Sequence, residues 1–285
     1  MSNESNIKAI ALVEALPYIK QFSGCTVVIK YGGSLMMNDA QRTSFANDIV
    51  LLRYVGIYPV IVHGGGKEIT KWMNKIGKEA LFIDGQRVTD KETMELTEMV
   101  LSGKINNEIV SLINQHGGRA VSLSGKSANL FQARRIQSKR NKDLGFVGTI
   151  ECVDTTLIHT LCSQGYIPVI SSVGADASGS TLNLNADNVA SCVARHLTCK
   201  KLIYLTDVDG VMIDKKKQSV IVVNAISDLL NHPDVSGGMV PKLECAMMAV
   251  ESGVESAHII NGTTKHAVLL ELLTDGGIGS MITAS

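Results

Sequence analysis

Two glycine-rich turns near the start of the chain are placed where they could hold an anion. One is Ile29-Lys30-Tyr31-Gly32-Gly33-Ser34, and the other is Val62-His63-Gly64-Gly65-Gly66-Lys67. Each follows a short run of β-branched residues. Glycines after a strand let backbone N–H groups approach an oxyanion closely, and a helix beginning there adds positive partial charge. Neither turn has the spacing of a common nucleotide-binding motif. Gly-x-x-x-x-Gly-Lys-Ser/Thr is absent, and Gly64-Gly65-Gly66 lacks the Gly-x-Gly-x-x-Gly spacing of dinucleotide folds. Each turn taken alone suits a tight strand-to-helix connection equally well.

The elements that must position these turns follow from periodicity. Short apolar runs occur at Thr26–Tyr31, Tyr58–Val62, Arg119–Leu123, Tyr166–Val173, Lys201–Thr206 and Glu255–Ile260. Between them lie amphipathic stretches with helical spacing, at Asp39–Val55, Thr89–Gln115, Asp187–Leu197 and Pro241–Ser252. This alternation predicts a three-layer α/β/α sandwich around a mainly parallel open sheet. Both glycine turns should then lie at the carboxyl edge of the sheet, where open α/β folds bind ligands. Two further segments read as hairpins: Ala80–Val88 around Asp84-Gly85, and Asn129–Val153. No Pro- or Gly/Ser-rich linker divides the chain, so its lobes must share a sheet. The expected division is an N-terminal helix at 1–22, a first lobe at 23–198 and a second at 199–285.

Composition narrows the function. The chain has 285 residues, 45% of them hydrophobic, enough for a substantial core. Basic and acidic residues number 27 each with no long block of either sign, which argues against a nucleic-acid partner. The basic run Ser138-Lys139-Arg140-Asn141-Lys142 reads as a solvated loop. Met1–Asn6 is polar, and no uncharged apolar run is long enough for a membrane helix, so a cytoplasmic location is expected. The six cysteines form no Cys-x-x-Cys pair and read as buried small hydrophobes. The seven histidines lack zinc-ligand spacing, so any metal should arrive with a nucleotide.

Downstream stand Gly85-Gln86-Arg87-Val88-Thr89-Asp90, Leu182-Asn183-Leu184-Asn185-Ala186-Asp187, Leu205-Thr206-Asp207-Val208-Asp209-Gly210 and Ser236-Gly237-Gly238-Met239-Val240-Pro241-Lys242. With the two glycine turns, in this order, they resemble the amino acid kinase family from about Thr26 onward. The pattern K-Y-G-G, H-G-G-G, G-x-R-V-T, N-x-N-A-D, G-G-M-x-P-K is similar to members that phosphorylate the γ-carboxylate of N-acetyl-L-glutamate. Gln86 departs from the bulky apolar residue usual before the arginine, and Ser280 from the commoner threonine.

The resemblance implies ATP with Mg²⁺ bridging its phosphates, and no protein cage for the metal. A γ-carboxylate, with a pKa of about 4.3, arrives ionised and needs no general base. The burden falls on cations that neutralise the transferring phosphoryl group. Lys30 and Lys242 are the candidates, with Asp187 holding the two ammonium groups in place. Arg87 and Asn183 would bind the acylamino acid, and Gly65 and Gly66 would offer backbone N–H groups to its reacting carboxylate. Gly33, Thr206, Asp207, Asp209, Gly210 and Met239 would contact the nucleotide.

The segment before the first strand, from Asn6 to Phe22, reads as an amphipathic helix with a bend at Pro17. In arginine-inhibited members of the family such a helix pairs dimers into a hexamer. The stretch His266–Met281 is similar to their effector loop. Feedback inhibition by L-arginine through His266, Glu271 and Gly279 is therefore expected, in a homohexamer or, alternatively, a dimer. Three rival readings stay open. One is a sister kinase acting on aspartate, glutamate, carbamate or UMP, another a non-catalytic arginine-binding assembly protein, and the third a nucleotide-binding dehydrogenase.

Overall fold

The computed structural model describes residues 3–32, 38–138 and 141–285. Eight strands form the main sheet. They are β1 (Thr26–Tyr31), β2 (Tyr58–His63), β5 (Ala120–Ser124), β8 (Ile167–Ser171), β11 (Lys201–Thr206), β14 (Val220–Val222), β15 (Ser256–Asn261) and β16 (Ser280–Thr283). Two hairpins, β3 (Phe82–Ile83) with β4 (Gln86–Arg87) and β12 (Met212–Ile213) with β13 (Lys216–Lys217), stand apart from it. A closed four-stranded barrel completes the β structure, built from β6 (Phe131–Gln137), β7 (Asp143–Val153), β9 (Val173–Ala175) and β10 (Thr181–Leu184).

The sheet order is β14-β16-β15-β11-β1-β2-β8-β5. Neighbours run parallel except β15 and β16. The parallel sandwich read from the sequence is therefore the observed fold, with the first and second glycine turns at the ends of the adjacent strands β1 and β2. Strands formed before residue 198 occupy one half of the sheet, and those formed after it the other.

Helices cover both faces: α1 (Asn3–Phe22), α2 (Asp39–Tyr54), α3 (Gly66–Lys75), α4 (Lys91–Glu98), α5 (Asn106–Gln115), α6 (Thr156–Ser163), α7 (Ala186–His196), α8 (Ile226–Leu230), α9 (Met239–Glu251) and α10 (Ala267–Leu272). Side chains alternate across a strand, and β1 sorts its residues accordingly. Val27, Ile29 and Tyr31 enter a core with α2, α3, α5 and α10, whereas Val28 enters one with α6, α7 and α9. Lys30 shares the parity of Val28, so it emerges on the face that carries α7 and α9.

Several expectations need correcting. Tyr166–Val173 is not one strand: β8 ends at Ser171, and Val173 begins β9 in the barrel. Thr89–Gln115 is not one regular helix, because Met99–Ile105 winds as a π-helix between α4 and α5. The N-terminal helix begins at Asn3 rather than Asn6 and has Pro17 inside it. Cys152 is exposed and Cys25 half-buried, while Cys162, Cys192, Cys199 and Cys245 are buried. Of the basic loop read at 138–142, Lys139 and Arg140 lie outside the described residues.

Candidate active site

Local sequence explains how three charged side chains converge. Asn185 caps α7, its side chain accepting from the N–H groups of Asp187 and Asn188. That places Asp187 in the first turn, where the helix dipole favours a carboxylate. Gly238 precedes α9, and Pro241 sits in its first turn, where a missing N–H costs nothing. Lys242 then points back toward α7. Its Nζ lies 3.2 Å from Asp187 Oδ2 and 3.2 Å from Gly238 O. Lys30, from the end of β1, places its Nζ 2.8 Å from Asp187 Oδ1.

Burial alone would push the Asp187 carboxyl upward, but attraction and hydrogen bonding from Lys30 and Lys242 outweigh it and hold it below the usual carboxylate range. The triad is therefore two cations around one ionised anion. It stands between two clefts. The first, about 250 Å³, is lined by Lys30, Gly64–Gly66, Arg87, Asn183 and Asp187 among others. The second, about 320 Å³, has Thr206, Asp207, Gly210, Met239 and Lys242 on its walls.

In the first cleft the β3–β4 hairpin delivers Arg87, which is buried. Arg87 Nη2 donates to Gly66 O at 2.8 Å and to Thr70 Oγ1 at 2.7 Å, and the guanidinium lies 4.8 Å from the Phe82 ring centroid. Burial pulls its pKa down. Among the described residues no carboxylate pairs with it, so a fixed cation faces the cleft without a counterion. Asn183 is tied to the same hairpin through Thr89, whose hydroxyl accepts from Asn183 Nδ2 at 3.2 Å and donates to Arg87 O at 2.9 Å.

The second glycine turn is packed from behind by the π-helix. A Cβ on Gly65 would stand 2.7 Å from Leu101 Cδ2 and closer still to Ile105 Cδ1. Gly66 has open space at the same test. His63, at the end of β2, is fully buried and its Nδ1 lies 3.2 Å from Gly64 O. Burial and the neighbouring Lys30 charge hold it down to about 4, so it stays neutral at ordinary pH.

Other expected residues distribute unevenly. Thr206, Asp207, Gly210 and Met239 line the second cleft together. Asp209 does not; its Oδ1 accepts from Asn261 Nδ2 at 2.7 Å. Gly210 has φ +128°, and Ser280 Oγ would lie 2.6 Å from a Cβ there. Ser280, which stands in place of the commoner threonine, also accepts the Val211 N–H at 2.8 Å. Gly33 lies outside the described residues.

Glu271 and Gly279 meet, but His266 is elsewhere. Glu271 is buried, with Oε1 2.5 Å from His258 Nδ1 and Oε2 accepting the N–H groups of Ile278 at 2.6 Å and Gly279 at 3.3 Å. His266, at φ +58°, instead binds α2: its N–H donates to Ser44 Oγ and its Nδ1 lies 2.6 Å from Asp48 Oδ1.

Sequence reasoning missed Phe82, Leu101, Val147 and Gly148 in the first cleft, and Asp234 and Val235 in the second. Phe82 had a signal, since it opens the hairpin that carries Arg87. Val147 and Gly148 had none, because the barrel brings them in.

Residues 26–261 match the amino acid kinase family, and the chain belongs to it. It is 50% identical over 279 residues to the acetylglutamate kinase of Desulforamulus reducens, covering 96% of this chain and 97% of that one. To the acetylglutamate kinase of Methanothermobacter thermautotrophicus it is 51% identical over 286 residues, covering 95% and 98%. Among solved structures it resembles N-acetylglutamate synthase from Neisseria gonorrhoeae at 28% identity. The TM-score is 0.88 for the complex with coenzyme A and N-acetyl-glutamate, and 0.82 for that with coenzyme A and L-arginine. The synthase is longer: 97% of this chain covers only 63% and 65% of those chains.

Proposed function

We propose that this protein transfers the γ-phosphoryl group of ATP to the side-chain carboxylate of N-acetyl-L-glutamate, giving an acyl phosphate in arginine biosynthesis. The observation that carries this is the Lys30–Asp187–Lys242 triad standing between a cleft whose arginine has no carboxylate partner among the described residues and a second cleft at the sheet's other half. Relatives of about 50% identity over nearly the whole chain bear the corresponding name.

In this reading the lobe at 23–198 holds the acylamino acid and the lobe at 199–285 the nucleotide. Arg87 receives the α-carboxylate, for which a planar guanidinium is better suited than an ammonium. Asn183 fixes the acylamino portion. The Gly65 and Gly66 backbone steadies the reacting carboxylate, which attacks already ionised. Lys30 and Lys242 approach from two elements and stabilise negative charge on the transferring group, and Asp187 keeps both ammonium groups in position.

The second cleft suits an adenine nucleotide. Its Gly210 turn leaves no room for a side chain, Met239 offers an apolar contact, and Lys242 stands where phosphates would enter. Thr206 and Asp207 would contact the nucleotide, with Asp209 supporting that loop through Asn261. ATP supplies the phosphoryl group, and its accompanying Mg²⁺ neutralises phosphate charge.

Incubation with Mg·ATP and hydroxylamine tests the assignment, because hydroxylamine traps an acyl phosphate as a hydroxamate. Hydroxamate should form from N-acetyl-L-glutamate and not from L-glutamate or L-aspartate. Product from a free amino acid alone would move the chain to a sister kinase. No product from any of them would favour a non-catalytic binding protein.

A regulatory reading accompanies the first. The N-terminal helix exposes Ile10, Leu12, Val13 and Leu16, with Leu12 at 72% and Val13 at 69%, as a helix awaiting a second copy would. Tyr18 on that helix hydrogen-bonds Asp275, in the same C-terminal loop whose amides grip Glu271. L-arginine binding at this junction, with its guanidinium on Glu271, would replace those amides and inhibit a hexameric assembly. Sedimentation showing nothing larger than a dimer, with activity unchanged in millimolar arginine, would remove this part.

A further inference from the structure

The catalytic clefts lie where strands end. At the opposite edge, where β5 and β8 begin, a separate cavity of about 290 Å³ is lined by Val50, Arg53, Tyr54, Gly117, Gly118, Arg119 and Gly165. Two guanidinium groups converge there. Arg53 Nη2 lies 3.3 Å, and Arg119 Nη1 3.7 Å, from the point where a Cβ on Gly165 would stand. The glycine, at φ +86°, leaves that space open between them.

Like charges brought this close repel unless something holds them. Each arginine is steadied on a tyrosine ring, Arg53 5.1 Å from the Tyr58 centroid and Arg119 4.1 Å from that of Tyr166. Each also reaches a carbonyl near the C-terminal end of α6: Arg53 Nη2 to Cys162 O and Arg119 Nη1 to Gln164 O, both at 3.4 Å. These long bonds use few of the donors a guanidinium carries. Arg53 Nε is buried with no partner, and among the described residues neither arginine is paired with a carboxylate. Two forks with donors to spare and no carboxylate partner among the described residues, set beside a cavity, make a receptor for a tetrahedral oxyanion.

We propose that Arg53 and Arg119 form a second anion site, on the sheet edge remote from the catalytic clefts, that binds a phosphate group. The source is either free phosphate or a phosphate monoester whose body packs on Val50 and Tyr54. The site is independent of the kinase reading, since none of its residues lines either catalytic cleft.

The test is an NMR titration of the whole protein labelled with ¹⁵N-arginine, following Nε–Hε signals assigned from Arg53→Lys and Arg119→Met. Inorganic phosphate and phenyl phosphate are added separately at constant ionic strength, with chloride as the control. Both signals should shift along one saturable curve. Arg119→Met, at an exposed position, should weaken the Arg53 response by about tenfold or more, as loss of one charged fork implies. Tighter binding of phenyl phosphate would identify a monoester as the ligand, and equal binding would identify free phosphate. Shifts that never saturate, that chloride reproduces, or that keep their midpoint in Arg119→Met would overturn the proposal.

Discussion

Lys242 reaches Asp187 across 55 positions of sequence, its Nζ 3.2 Å from Oδ2, while the other carboxylate oxygen is held by Lys30. Held below the usual carboxylate range by both lysines, the carboxylate stays ionised in this arrangement. It is the pivot on which two ammonium groups from different helical and strand elements are set.

Replacing Lys242 with methionine should keep the packing of α9 and remove the cation that, in the proposed mechanism, acts on the transferring group. The expected result is a fall in kcat of about 10²–10³, the scale for losing one electrostatic stabiliser, with KM for the acylamino acid little changed. Steady-state kinetics decide it. A kcat within threefold of the parent would take Lys242 out of the chemistry.

Arg87→Lys preserves charge but not the fork. Lysine cannot hold Gly66 O and Thr70 Oγ1 together while also meeting a carboxylate edge-on. The variant should lose about 1.5–3 kcal/mol of substrate binding, the range for a hydrogen bond to a charged group, seen in KM more than in kcat. An unaltered KM would place the substrate carboxylate elsewhere.

Gly65→Ala and Gly66→Ala should separate packing from access. The first drives a methyl into Leu101 and Ile105, an overpacking expected to cost about 1–3 kcal/mol. The second meets no neighbouring atom. Thermal unfolding should show a lower Tm for Gly65→Ala and a nearly parental one for Gly66→Ala. Equal Tm values would mean that the π-helix yields.

His63 gives a pH signature. Its folded pKa, about 4, lies below the ordinary value of 6.5, so between those limits the unfolded chain binds more protons. Stability should therefore decline as pH falls from about 6.5 and level off, for this group, below about 4. In His63→Asn that part of the slope should be missing from denaturant titrations. A parental slope in the variant would assign the dependence to other groups.

Much of the frame was legible because local pattern and final burial coincide. Thr26–Tyr31 and Lys201–Thr206 are strands with the limits expected of them, since both are apolar runs in the centre of a two-sided sheet. Both hairpins read at 80–88 and 129–153 were also visible, the first from Asp84-Gly85. The barrel was not. Its strands β9 and β10 are short; they pair with each other, but the pairings that close the barrel, β10 with β7 and β9 with β6, reach across sequence, so pairing rather than composition makes them. The π-helix is equally silent, because its apolar residues keep helix-like spacing. Around the triad, the residue types were readable but their meeting was not: Lys30, Asp187 and Lys242 come together only through strand parity and the caps of two helices. Arg53 and Arg119 gave no sign at all, since nothing local links α2 to the start of β5.

The position of β16 has a consequence for synthesis. Ser280–Thr283 slots between β14 and β15, inside the sheet rather than at its rim. A nascent chain can assemble β1, β2, β5, β8 and β11 as they emerge, but β14 has no neighbour in the sheet until Ser280–Thr283 has left the ribosome. Until then β15 presents an unpaired edge to whatever strand is nearby. The half of the molecule that carries Lys242 is thus the last to close, and a nascent chain stalled before residue 280 should be bound by chaperones and yield no active enzyme.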